Sequence, residues 1–542
     1  MSPRFLREAC AAIGLFAGVA LFRYLSLNGF SNDHYVHLAG AQQMLFGEWP
    51  SRDFVDLGAP LTYALSAAAQ ELFGRGLLTE AVLTAILFAI AAVLTLRVVL
   101  ALTGSVALGL AAAAVEELMF PRSYSDTKIL VYAAASLALV RYSARPGRAR
   151  LVVLALVTAI AFLIRHDHGA FVGIAAGVAV LLSPLPSDRK RPVGTLLWLG
   201  VATALMVLPY LIYLQATDDV LSHLERGAAF SRLELPRQHL SLTGHPFQVA
   251  WLLYGIWIVP AAALVAVLAK GWTRTPDAWS LARLIVPLAT LALVADAGLI
   301  RDALDARLAD AVVAPAVLMA WLARQAWRPA SGAAAWALRP TVAAWTLRAA
   351  SVVLVAITIG SAAVMGNTGD QLERAGLFQG FEGLSDQLDL RAKELRRPFE
   401  GRQTPSRIAE ALRPFFDYAL RCVDPGDRLL VPGFLPEVPV LARRGFAGGQ
   451  VWFTAGALAT PQDHQLVMSR LARQRVPLVV LRRPDYDDLA LEFPELDAYI
   501  RGRFEPVAQW SLADDDVDTL YLMANRSLVR GQDGPTGWPC FR

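Results

Sequence analysis

Charge is scarce in this chain. Of its 542 residues only 18% are charged while 55% are hydrophobic, and the mean hydropathy is +0.44. The net charge of +4 leaves no nucleic-acid footprint, because the basic residues are dispersed over short loops between apolar runs. Cysteine is nearly absent, with three residues in all. The polar C-terminal part holds neither a G-x-G-x-x-G nor a G-x-x-x-x-G-K-[ST] loop, so nothing there cradles a nucleotide phosphate. No small-x-small cleavage site follows the first apolar run, which is therefore expected to be a retained helix and not a removed signal. No clear internal repeat is found either, which argues against a transporter or lipid flippase built from inverted halves. That reading is kept as the alternative.

What the chain has in abundance is apolar runs of the length needed to cross a ~30 Å hydrocarbon core. They fall at 8–28, 77–101, 104–120, 127–143, 150–166, 168–183, 194–215, 249–270, 282–299, 308–325 and 343–364, about eleven spans. The expected fold class is an α-helical polytopic membrane protein, residues 1–364, followed by a soluble α/β domain over 365–542. Between the first two spans lies a large loop, 29–76, whose segment 60–74 is too short to cross. Its polar side (Thr62, Ser66, Gln70, Glu71) predicts an interfacial helix. With the N-terminus in the cytoplasm, the basic loops 141–150, 187–192, 270–283 and 324–341 all fall inside, as the positive-inside rule requires. The acidic and histidine-bearing span ends, and the tail, then share the extracytoplasmic side of an inner membrane. Ionisable groups near a bilayer are expensive and mark candidate sites.

The densest such group follows the first span: "SNDHYVHLAGAQQMLFGEWPSRDFVDLGAPLTY", residues 31–63, with Asp33, His34, Tyr35, Arg52, Asp53 and Asp56. A partly desolvated carboxylate is suited to act as general base on a hydroxyl or amine. Arg52 could hold a carboxylate or phosphate in its planar fork. Turn and helix capping by Asp53 and Asp56 are the structural alternatives.

This stretch resembles the first extracytoplasmic loop of GT-C glycosyltransferases, in the bacterial branch related to protein O-mannosyltransferases and lipid A aminoarabinose transferases. The acidic residue before H-Y, the "GEWPSRDF" turn and the "GAPLTY" helix carry the likeness. The resemblance implies a sugar transferred from a polyprenyl-phosphate carrier to an extracytoplasmic acceptor, whether glycan, lipid or protein, by a multi-span enzyme with a periplasmic tail. It implies Asp33 as catalytic base. His34 stands where a second acid is usual, so a divalent metal stays open, with Asp53 or Asp56 as the other acid.

Three further clusters lie on the same expected face. Asp126 and Lys128 open one span, and the lysine suits a carrier phosphate or an interfacial position. "RHDHG" brings Arg165, His166 and Asp167 to a tight corner, read as charge pairing that anchors the turn, with Arg165 or His166 facing the phosphate. "IRDALDARLAD", 300–310, carries Arg301 and Arg307, and the resemblance makes Arg301 the first choice for the lipid phosphate. The loop 216–248 is long and mixed in charge, suited to an acceptor site.

In the tail, 365–400 reads as a charged helical connector and 405–423 as an amphipathic helix. "DRLLVPG" reads as a strand, "PEVPVLARR" as a short helix, "VPLVVLRRP" as a strand, 493–510 as a helix and "TLYLMAN" as a strand. "GFAGGQVWF", 445–453, reads as a turn. Cys422 and Cys540 could pair if the tail is outside, or be separate buried thiols.

Overall fold

The computed structural model describes residues 2–56, 58–186, 192–234, 258–272, 277–297, 308–327, 342–396, 407–453, 458, 460–483, 485–512 and 518–542. Within them a helix lies at each expected span. In order these are α1 (Pro3–Ser26), α4 (Leu77–Thr103), α5 (Val106–Leu118), α6 (Asp126–Ala144), α7 (Arg148–Ile164), α8 (His166–Leu182) and α9 (Val193–Thr217), then Val259–Trp272, Asp277–Ala297, Val313–Ala326 and Val342–Met365. The loop after α1 supplies α2 (Asn32–Leu45) and α3 (Pro60–Phe73), and α10 (Val220–Glu234) follows α9. Among the described residues four helices are long and apolar enough to cross a membrane: α1, α4, α9 and Trp279–Asp296. A bent pair, Ser351–Met365 with Thr368–Arg374, makes a fifth if counted as one span. The chain is thus a multi-pass membrane protein. Helices α5, α7 and α8, with 13, 17 and 17 residues, fall short of the ~20 that a perpendicular crossing needs.

The chain folds as two compact units. The first comprises Met1–Ser26, Val82–Pro209 and Leu235–Gln387, and the second Leu27–Ala81, Tyr210–Glu234 and Leu388–Arg542. The expected division at residue 364 therefore falls inside the first unit, and the loop after α1 belongs with the tail.

In the first unit α6 is the central helix. Ile129, Ala133, Leu139 and Tyr142 are wholly buried, and it packs against α7, α8 and Asp277–Ala297. Arg23 of α1 is buried between the rings of Phe88 and Phe120, 3.6 and 4.5 Å from their centroids. Its Nε lies 3.1 Å from Glu117 and its Nη2 donates to the Pro121 carbonyl at 3.0 Å. A buried guanidinium of this kind needs both the ring faces and the carboxylate to offset its lost hydration.

The second unit is built on a five-stranded sheet in the order β2-β1-β3-β5-β4, with β1 Arg428–Leu430, β2 Gly445–Phe446, β3 Leu478–Arg483, β4 Phe504–Ser511 and β5 Thr519–Asn525. β2, β1 and β3 run parallel, while β5 is antiparallel to both β3 and β4. Leu430, Val479, Phe493, Ile500 and Phe504 pack on one another as its core. Three expectations are corrected. The helix expected over 493–510 ends at Arg503, where the β-favouring run "FEPVAQWS" becomes β4. The helix expected over 405–423 appears as Arg407–Ala411 and Arg413–Cys422, broken just ahead of Pro414. The "GFAGG" turn begins as β2 before Gly448 and Gly449 turn the chain at φ +72° and +71°. Cys422 and Cys540 form a disulfide.

Candidate functional site

Residues 31–63 are ordered by partners on three sides, all in the second unit. Asp33 lies in the first turn of α2, where the helix dipole favours an anion. Its carboxylate is exposed and has no side-chain partner among the described residues. The next two residues turn inward. His34 Nε2 lies 3.0 Å from Glu80 Oε1, and its ring stacks against Phe30 at 4.4 Å. Ser66 Oγ donates to the other Glu80 oxygen at 2.6 Å and itself accepts from Gln70 Nε2 at 3.2 Å. Tyr35 is buried, and burial with the nearby Glu437 charge raises its hydroxyl pKa above the ordinary value.

The expected polar side of α3 is thus an internal hydrogen-bonding face. Thr62, Ser66 and Gln70 are buried, while Glu71 alone of the four is exposed, paired with Arg75 at 3.3 Å. The physical reason is Glu80, whose buried carboxylate needs donors from α2 and α3.

Asp53 and Asp56 have structural partners of their own. Asp53 Oδ2 accepts from the Trp49 amide at 2.8 Å and from Arg52 Nε at 2.7 Å, closing the "WPSRD" turn. Arg52 also donates through Nη2 to the Gly47 carbonyl at 3.1 Å, and its side chain is half exposed. Asp56 is buried. Its Oδ1 accepts from the amides of Gly58 and Ala59 at 2.9 and 2.8 Å, ahead of Pro60 at the start of α3, and its Oδ2 from the Tyr210 hydroxyl at 3.4 Å. Burial raises its pKa above the usual carboxylate range, against the pull of the Ala59 and Gly58 amides, the His223 charge and Tyr210.

Residues after Pro209 and in the tail hold the same loop. Tyr213 donates to the Pro50 carbonyl at 2.6 Å, and Ser51, at φ +67°, meets His223 Nδ1 at 3.4 Å. His223 and Arg226 in turn bond Asp218, and those bonds outweigh burial and lower its pKa. From the tail, Gly449 accepts from the Val55 amide at 2.8 Å, and Arg428 donates through Nε and Nη2 to Glu48 at 2.8 and 2.6 Å. Gln43 bonds both backbone groups of Phe446, donating to its carbonyl at 3.2 Å and accepting from its amide at 3.1 Å. Gln42 donates to the carbonyls of Pro439 and Arg444 at 2.9 and 2.7 Å. Gln43 therefore serves the edge strand β2 in place of another strand, and Gln42 holds the segment that leads into it. None of Gln42, Gln43, Glu48, Glu80 or His223 was singled out from sequence. The available signal was the pair of glutamines in the otherwise apolar second half of α2, "LAGAQQML".

The other expected residues belong to the first unit. Lys128 Nζ donates to Asp310 Oδ2 at 3.1 Å and lies over the Tyr124 ring at 4.7 Å, with both charged side chains nearly buried. The ammonium expected to meet a phosphate is thus paired with a carboxylate. Asp126 is buried and caps the first turn of α6, accepting from the Thr127 amide at 2.6 Å. At the corner between α7 and α8, Arg165 Nε pairs with Asp167 at 3.0 Å, Asp167 accepts from the His168 amide at 2.9 Å, and His166 stacks on Phe162 at 4.3 Å. Arg165 is half-buried, so part of its guanidinium reaches solvent. Arg301 and Arg307 lie outside the described residues. Among the described residues no group of three or more His, Cys, Asp or Glu is placed to hold a metal ion.

No protein-family model matches the chain, and no curated protein matches it. Among solved structures it is similar to ArnT from Cupriavidus metallidurans in the apo state, with a TM-score of 0.48, 14% identity, and 95% of this chain and 98% of that chain covered. The corresponding figures for ArnT from the same organism bound to undecaprenyl phosphate are 0.48, 15%, 94% and 97%.

Proposed function

We propose that the chain is an integral-membrane glycosyltransferase of GT-C type, moving a sugar from a polyprenyl-phosphate carrier to an extracytoplasmic acceptor. The observation that carries the reading is Asp33: an exposed carboxylate without a side-chain partner, on a helix turn whose following residue is clamped by a buried carboxylate. Such a group is free to take a proton and fixed in where it takes it.

In the proposed step Asp33 accepts the proton of the acceptor hydroxyl or amine. The acceptor heteroatom forms its bond to the anomeric carbon as the bond from that carbon to the phosphate oxygen breaks, and the electron pair leaves with the lipid phosphate. One displacement inverts the anomeric centre. A cation that meets the departing charge lowers the barrier. Lys128, Arg165, His166 and Arg301 remain proposed for that role on the sequence. Asp53 and Asp56 act in this reading as supports of the loop.

The proposed topology has the N-terminus in the cytoplasm and the tail outside the inner membrane. The Cys422–Cys540 disulfide supports that side for the tail, since such bonds persist in oxidising compartments.

The test is mass spectrometry of polyprenyl-phosphate sugars co-purifying with the wild type and with Asp33→Asn. Accumulation of a lipid-linked sugar on the variant supports the transferase and identifies the donor. Absence of such a lipid from both, with a variant that behaves as wild type in cells, overturns it in favour of transport.

A further inference from the structure

The last apolar helix, Val342–Met365, does not lead directly into the tail. The chain bends by 61° into Thr368–Arg374, then makes a single turn at Leu377–Gln379 before the helix Gly380–Arg396 begins. Every residue from Leu377 to Glu382 is exposed, and the apolar ones are prominent: Phe378 is 72% and Phe381 92% exposed, with Leu377 at 42%. No charged residue stands between Arg374 and Glu382.

The tip is apolar, yet its base is tightly built. Gly376 adopts φ +71°, and a Cβ there would lie 2.6 Å from the Gly383 carbonyl oxygen. A Cβ on Gly383 would in turn lie 2.7 Å from the Gly376 carbonyl oxygen and 2.4 Å from Gln379 Cβ. Backbone meets backbone at the neck because both residues lack a side chain. A short finger is thereby held out with two phenylalanines and a leucine at its end. Phenylalanine has no polar atom to reward a place in water, and exposed apolar residues grouped within five positions mark an interaction surface.

We infer that Leu377, Phe378 and Phe381 form a lipid-inserted finger that rests in the bilayer interface beside the final membrane helix. The bilayer is the occupant because the finger follows directly on Ser351–Met365 and Thr368–Arg374, which together are apolar enough to count as one bent span, and because the 61° bend between them turns the chain away from the first helix's axis. A cluster of Phe and Leu without charge is the composition that sits at the boundary of headgroups and acyl chains. The inference is independent of the transferase reading.

The experiment uses the full chain with Cys10→Ser, spin-labelled at Phe381→Cys and, separately, at Phe378→Cys, in phosphatidylethanolamine–phosphatidylglycerol vesicles. Power saturation compares collision with oxygen, which concentrates in lipid, and with a neutral nickel chelate, which stays in water. Both labels are expected to meet oxygen several-fold more than the chelate, at a depth of about 5–10 Å. Labels equally open to both place the finger in water and overturn the inference. Labels shielded from both show it covered by protein, a second copy or another chain, and overturn it as well. Agreement between the two positions guards against one variant that misfolds.

Discussion

Asp33 and His34 are adjacent in sequence, and α2 sends one to solvent and the other to Glu80. The exposed acid was legible from its place after the first span. Its neighbour's partner was not, because Glu80 lies 46 residues further on and opens an apolar helix that gives no local sign of the pairing. His34→Ala is expected to leave Glu80 Oε1 buried without its donor, a loss of about 1–3 kcal/mol or more. The check is the thermal midpoint of the purified protein in detergent; an unchanged midpoint would remove the clamp from the account. Asp56 makes a pH-dependent case. Burial holds its folded-state pKa above the unfolded value of ~3.9. Its stability contribution is therefore complete below about pH 3.9 and is lost as pH rises through the folded value. Asp56→Asn does not ionise, and its amide oxygen still accepts from Gly58 and Ala59. The variant is expected to match or exceed the wild type in midpoint near neutral pH, with any advantage shrinking as the sample is acidified toward about pH 4. A variant clearly less stable at neutral pH would mean that the ionised carboxylate is needed for folding.

Hydropathy located the helices well, because apolar runs long enough for a bilayer have few other structures open to them. It was weaker in the tail. "FEPVAQWS" follows a helix without a glycine or proline break, and only its pairing with Thr519–Asn525 identifies it as a strand. It was weakest for α3, whose polar residues suggested a wet side while Thr62, Ser66 and Gln70 are in fact buried, with Ser66 bonding Glu80. The closeness of α2 and α3 is set by Gly40, where a Cβ would lie 2.8 Å from Cδ1 of the buried Tyr63 ring. Gly40→Ala should therefore force α2 and α3 apart at a loss of about 1–3 kcal/mol. Since α2 also carries Asp33, the same variant should lose transfer activity without losing bound donor lipid. Full activity with an unchanged midpoint would show that Tyr63 can yield.

At the scale of the molecule, the first loop and the tail are one folding unit although 403 residues separate Gln43 from Phe446 of β2. Sequence reading expected both on one side of the membrane but had no means of joining them, since most of the joining bonds end on backbone groups and the ion pair of Glu48 with Arg428 spans 380 residues. The disulfide closes the same unit. Its cysteines are 118 residues apart, and a link across a loop of that size stabilises by roughly 4–5 kcal/mol on the chain-entropy account. Cys10 is the remaining thiol, and it is exposed. Protein isolated from membranes without reductant and then denatured should therefore take up one maleimide, and three after reduction. Reduction should also lower the midpoint of the tail's unfolding while leaving the helices of the first unit in place. Three reactive thiols before reduction would show that the pair is not formed in the cell, and would withdraw its support for an extracytoplasmic tail.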